Sequence, residues 1–213
     1  WIASIDANLL QGAEADLMPF FNATPLIFLI LIPAITMRSI AEERRTGTIE
    51  LLFTRPISDL KILLAKYFAS VTLMIIALIP TLTYYGSMHY LGNPVGIIDD
   101  GATLASYLGL ILLGASFVAI GIFTSSLTSS QIVAFILSLF SCWLLMPEVG
   151  GLALLASFDL MGSFDSVVQY FGMTYHYDGI KRGVIDTKNI IYFLSVIILF
   201  ICAALTVIKS LKK

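Results

Sequence analysis

The chain has 213 residues, of which 58% are apolar, 12% aromatic and 12% charged, and its mean hydropathy is +0.94. Ordinary globular chains carry roughly 25% charged residues, so half that fraction leaves too little polar surface to clothe a water-facing core, and the composition is that of an integral membrane protein without a large soluble domain. The formal charge of −2, from 12 basic and 14 acidic residues, comes without the clustered basic face that a nucleic-acid partner requires.

The opening residues 1–16 begin at Trp1 and show neither the basic n-region nor the cleavage site of a signal peptide. Beyond them the charge-free intervals 17–37, 67–98, 101–147 and 189–208 mark the membrane-crossing segments. A crossing takes about 20 apolar residues, so the 47 residues of 101–147, roughly 70 Å as one helix, must cross twice. Their polar middle, 124–131, supplies the turn. Five spans result, near 17–37, 67–90, 104–123, 131–147 and 190–208, in an all-α membrane fold forming a single domain over 1–213. Cys142 and Cys202 fall inside these apolar stretches, where cysteine acts as a small apolar residue.

Orientation follows from the basic residues near span ends. Arg38, Arg44, Arg45, Arg55, Lys61, Lys66, Lys209, Lys212 and Lys213 gather on one side, against Lys181, Arg182 and Lys188 on the other. Nine against three makes 38–66 and the C-terminus cytoplasmic and places 1–16, 91–103 and 148–188 outside. Tyr84, Tyr85, Tyr90 and Trp143 then sit at outer boundaries, as interfacial aromatics do. An outside N-terminus fits a chain preceded by one further span, six in the intact protein.

Within the spans, Pro33 and Pro80 each remove an intrahelical hydrogen bond and act as packing kinks or hinges. The pairs Ala115 with Ala119 and Gly121 with Ser125 present small residues at four-residue spacing, where another helix can approach closely. The outer segment 148–188 is too apolar in parts for a plain loop, and short amphipathic or re-entrant helices are expected there.

The sequence offers no catalytic constellation, metal-ligand spacing, phosphate-binding loop or cofactor motif. His89 and His176 stand apart near outer boundaries, where exposed or interfacial histidines are expected. The spans carry no charge except Arg38 at an inner edge, so ion-coupled pumping lacks its usual relays. Asn22, Thr81, Thr83, Ser116 and Gln131 read as helix-packing contacts.

The informative stretch is 37–67, MRSIAEERRTGTIELLFTRPISDLKILLAKY, which holds ten of the 26 charges. Residues 39–45 continue a helical pattern out of the first span, with Glu42, Glu43, Arg44 and Arg45 forming a charged knob that Gly47 terminates through positive φ. Thr48 is an N-cap type, Glu50 suits the new helix's positive end, Leu51 and Leu52 give it apolar content, and Pro56 stops it after Arg55. Ser58 and Asp59 open an amphipathic helix, with Leu60, Leu63 and Leu64 on one face, leading to Lys66 and Tyr67 at the membrane surface. Such a short helix between two turns suits docking into a groove of a soluble partner. Its leucines and basic excess suit a helix lying on lipid equally well.

The run AITMRSIAEERRTGTIELLFTRPIS, residues 34–58, resembles the segment between the second and third spans of type-2 ABC exporter permeases. The pattern E-x-R-x-G-T-x-E-L-L-x-T-R-P is met at Glu43, Arg45, Gly47, Thr48, Glu50, Leu51, Leu52, Thr54, Arg55 and Pro56. Within that family the chain is most similar to the gliding-motility-associated permeases of Bacteroidetes-type bacteria, through 33–38 and through Arg182-Gly-Val-Ile-Asp186 before Tyr192-Phe-Leu-Ser195. The resemblance implies a six-span permease half in the bacterial inner membrane, paired with a second half and driven by cytoplasmic ABC ATPase subunits. It makes 48–55 the coupling helix, with Glu42, Glu43, Arg44 and Arg45 as its extension, and 148–188 the re-entrant outer helices. No cofactor and no catalysis in this chain are implied. The alternative is a non-transporting membrane scaffold in a multi-protein complex; a membrane-embedded enzyme would need a reactive cluster that the sequence does not show.

Overall fold

The computed structural model describes residues 17–53, 57–91, 99–146 and 172–211, and among these the chain is all-helical. α1, Met18–Thr36, opens with Pro19, whose missing N–H is harmless in a first turn. A turn over 37–40 leads to α2, Ala41–Thr46, and then α3, Thr48–Phe53. α4, Asp59–Leu78, runs unbroken from the charged segment into the apolar region, so the amphipathic helix and the second span are one rod. Of its leucines, Leu63 is buried and Leu64 half-buried, while Leu60 stands exposed in the first turn. Pro80 turns the rod into a 3₁₀ segment, Ile79–Thr81, before α5, Leu82–Leu91.

α6, Asp100–Leu127, is the axis of the fold and packs against α1, α4 and each of the helices that follow it among the described residues. Asp99 starts it by accepting the N–H groups of Gly101 and Ala102 at 2.9 and 3.1 Å. At 28 residues it is about 42 Å long, longer than a bilayer core of about 30 Å. The expected turn at 124–131 shrinks to 128–130. The reason is that Thr124 and Ser126 return their hydroxyls to the carbonyls of Gly121 and Phe123, at 3.0 and 2.6 Å, so polar residues that look like a turn stay helical.

α7, Gln131–Leu144, has 14 residues, about 21 Å, and is shorter than the span expected over 131–147. Among the described residues four helical stretches are long and apolar enough to cross a bilayer, Met18–Thr46, Asp59–Tyr90, Asp100–Leu127 and Thr187–Leu211, and α7 falls below that length. Pro147 disfavours helix at the residue before it, which accounts for the early end. α7 nevertheless links the two ends of the described bundle: it starts just after the end of α6 at Leu127, and beyond it Leu145 accepts the N–H of Met173 at 3.0 Å, at the start of α8, Met173–Lys181.

α8 closes the opposite end of the bundle. Ser106 of α6 donates to the Lys181 carbonyl at 3.1 Å, Tyr177 donates to the Phe21 carbonyl at 2.9 Å, and Lys181 reaches Asn22 at 2.7 Å. Burial pushes the Tyr177 phenol up. His176 is buried, contrary to the expectation of an exposed or interfacial histidine, within 2.9 Å of Asn189 and stacked on Tyr192 with ring centroids 3.9 Å apart. Asp186 caps α9, Thr187–Leu211, and its carboxylate accepts the Lys188 N–H at 3.1 Å, which holds its carboxyl below the usual range. The apolar runs 152–156 and 167–171 lie outside the described residues.

Close packing on α6 depends on absent side chains. A Cβ on Gly114 would meet the Met74 sulfur at 2.1 Å, and one on Gly121 would meet the Thr36 hydroxyl at 2.1 Å. Gly121 thus takes the end of α1, as its small size suggests, and Ala119 is fully buried nearby in α6. Gly121→Ala is expected to destabilise the protein by about 1–3 kcal/mol, read as a lowered Tm in detergent, with part of the loss recovered when Thr36→Ala is added. An unchanged Tm would contradict this packing.

Candidate coupling site

The turn after α1 leaves α2 with an apolar N-cap, Ile40, whose side chain cannot satisfy the first N–H groups of the helix. Ser125, in the last turn of α6, does so instead. Its hydroxyl oxygen accepts the N–H groups of Ile40 and Ala41, each at 3.1 Å, and donates to the Met37 carbonyl at 3.1 Å. Both N–H groups lie where water is excluded, since Ile40 and Ala41 are 1% and 0% exposed. The favour is returned: Arg44 of α2 donates to the Ser126 carbonyl at 2.6 Å, one of the terminal carbonyls of α6 that lack an intrahelical partner. Each helix caps the other.

Glu43 points to α4. Lys66 bridges it at 2.5 Å and also donates to the Ser39 carbonyl at 2.6 Å, so one ammonium joins the turn, α2 and α4. Both partners are about three-quarters buried, with side-chain exposures of 21% and 27%, so the pair is screened less than a surface pair. Glu42 and Arg45 form the outer, more exposed pair at 2.9 Å. Gly47 ends α2 with φ 72°, the left-handed conformation expected of it.

Thr48 does not form the expected N-cap. It is the first helical residue of α3, and its hydroxyl lies 2.9 Å from that of Thr46 and donates to the Glu43 carbonyl at 3.5 Å, turned back onto α2. Glu50 is exposed, whereas Ile49 is half-buried and lines a small apolar pocket with Ile40, Ile62 and Ile208. Ile49 thus packs against the core beside α4 and α9. Leu51 and Leu52 belong to α3, and Arg55 and Pro56 lie outside the described residues.

Of the span residues read as packing contacts, Thr81 accepts the Tyr107 hydroxyl at its carbonyl, 3.1 Å away, and Ser116 bonds the Leu112 carbonyl at 3.0 Å. The residues that sequence reasoning missed are Ser125 and Ser126. The available signal was a run of hydroxyls at 124–126 richer than a turn requires, with Ser125 four residues after Gly121 on one face.

Over residues 10–212 the chain matches the family described as ABC-2 family transporter protein. The chain belongs to this family. No curated protein and no solved structure shows a significant match. As an ABC-2 permease the chain is a multi-pass membrane subunit of an ABC transporter, of a family that works with ATPase subunits and is not itself the ATPase. In this permease the charged knob is therefore a joint that ties α1, α4 and α6 together at one end of the bundle.

Ser125→Ala in the permease leaves two buried N–H groups without an acceptor, and a loss of about 1–3 kcal/mol is expected. Ser129→Ala, at an exposed turn position, should be neutral. Thermal unfolding in detergent checks both, and equal Tm values for the two variants would contradict the capping account.

Proposed function

We propose that the chain is the permease half of an ABC exporter of the bacterial inner membrane, a single permease domain that couples through α3 to separate cytoplasmic ATPase subunits and pairs with a second half to enclose the path. The observation that carries this reading is the junction itself. A short helix that exposes Thr48 and Glu50 is joined, through α2, to three long apolar helices by the Ser125 and Arg44 caps and the Lys66 bridge. Force applied to α3 would pass through α2 to α4 by the Lys66 bridge and to α6 by the Ser125 and Arg44 bonds. The excess of basic residues over 38–66 and at the C-terminus supports a cytoplasmic position for the joint. α7, reaching from the joint to α8, counts as the fifth crossing in this reading.

ATP binding in the partners would draw α3 with it, tilt the α4 rod, and shift α6 against α1 at Gly121 and Gly114. The bundle then alternates between inward-closed and outward-open arrangements. A gliding-motility role is supported by the resemblance at 33–38, 182–186 and 192–195 alone; colony spreading of a deletion strain, unaffected by loss of the gene, would refute it.

Glu50→Ala and Arg55→Ala should each reduce co-purification of the ATPase about tenfold while leaving membrane insertion unchanged. Lys66→Met should keep the ATPase bound but abolish its stimulation by substrate. Full co-purification and transport in all three variants would overturn the coupling assignment and favour a scaffold.

A further inference from the structure

Beside the coupling joint, between α2 and the turn from α6 to α7, lies an open cleft of about 670 Å³. Arg38, Arg44 and Arg45 line it with the single carboxylate of Glu42, a net charge of +2, and Ser129, Ser130 and Gln131 form the opposite wall. The charges are incompletely used. Arg45 pairs with Glu42, Arg44 gives one nitrogen to a neutral carbonyl, and Arg38 is exposed with no ion-pair partner among the described residues. Across the cleft the first turn of α7 presents N–H groups that the Ser130 side chain does not cap. Guanidinium groups facing a helix N-terminus and two serine hydroxyls are suited to a phosphate's oxygens.

A second feature distinguishes the kind of phosphate. Ile132, on the cleft wall, begins a stripe with Ile136 and Phe140 at four-residue spacing, exposed at 72%, 58% and 55%. A soluble anion or an acidic protein segment has no use for an apolar track leading away from the cleft along a helix that enters the apolar region. A lipid has both parts. We propose that the cleft holds the phosphate headgroup of an anionic phospholipid from the leaflet at the α1–α2 junction, with an acyl chain lying along the α7 stripe. The site stands whether or not α3 docks an ATPase.

The test is lipid binding to the purified full chain, with phosphatidylglycerol and phosphatidylcholine of identical acyl chains counted as adducts by native mass spectrometry. Phosphatidylglycerol should bind about tenfold more tightly. Arg38→Gln should remove most of that preference while leaving phosphatidylcholine binding unchanged; Arg38 is exposed and makes no hydrogen bond or ion pair among the described residues, so this variant decides even if Arg45→Gln proves unstable. Equal binding of the two lipids, or a preference that survives Arg38→Gln, overturns the proposal. Inorganic phosphate binding as tightly as phosphatidylglycerol would assign the cleft to a soluble anion and overturn the lipid. A photocrosslinker at Ser130 in the assembled transporter should capture lipid, and capture of the ATPase polypeptide would overturn it as well.

Discussion

Two helix ends that cannot satisfy themselves satisfy each other, and the architecture of this end of the permease depends on that exchange. α2 begins at an apolar residue and so lacks a capping side chain of its own; α6 ends in carbonyls that have run out of helix. Ser125 supplies the acceptor for the first, and Arg44 the donor for the second. A buried polar group without a partner costs about 1–3 kcal/mol, so separating the two helices would expose several such penalties together. The joint therefore behaves as one body, although α2 itself has only six residues and could not persist alone.

The rest of the bundle makes that body mechanically useful. α4 passes from the joint into the apolar region without a break, and α6 leaves the joint as the buried axis that every other long helix touches. Glycines at 114 and 121 bring α4 and α1 so close to α6 that a single added carbon has no room. Close-packed contacts of this kind transmit displacement rather than absorbing it. At the far end, α8 ties α1, α6 and α9 through Tyr177, Lys181 and the His176–Asn189 pair, so the bundle is held at both ends.

Much of this was legible in the sequence because hydropathy and punctuation are local signals. Charge-free runs located α1, α4, α6 and α9, Gly47 marked a helix end, and the ordered charges of 42–45 pointed to the joint. What failed were inferences that needed tertiary partners. Thr48 has the right chemistry for an N-cap, but its hydroxyl found the end of α2 first. The polar run at 124–126 looks like a turn because local reasoning cannot see that its hydroxyls return to their own helix, and that Ser125 has two N–H groups waiting 84 and 85 residues away. His176 reads as exposed because nothing near it in sequence reveals the aromatic ring of Tyr192 beneath it.

The most direct measurement of the joint's rigidity is a pulsed electron-spin distance between labels at Thr46 and Ser129 in the lipid-embedded protein. Both positions are exposed, Thr46 at the end of α2 and Ser129 in the turn two residues past the end of α6, so they report on the two helix ends that the reciprocal caps hold together. One narrow distance distribution is predicted for the parent chain, broadening once the Ser125 hydroxyl is removed. A broad distribution in the parent, or one indifferent to that hydroxyl, would show that the two helix ends are not locked and would contradict the account.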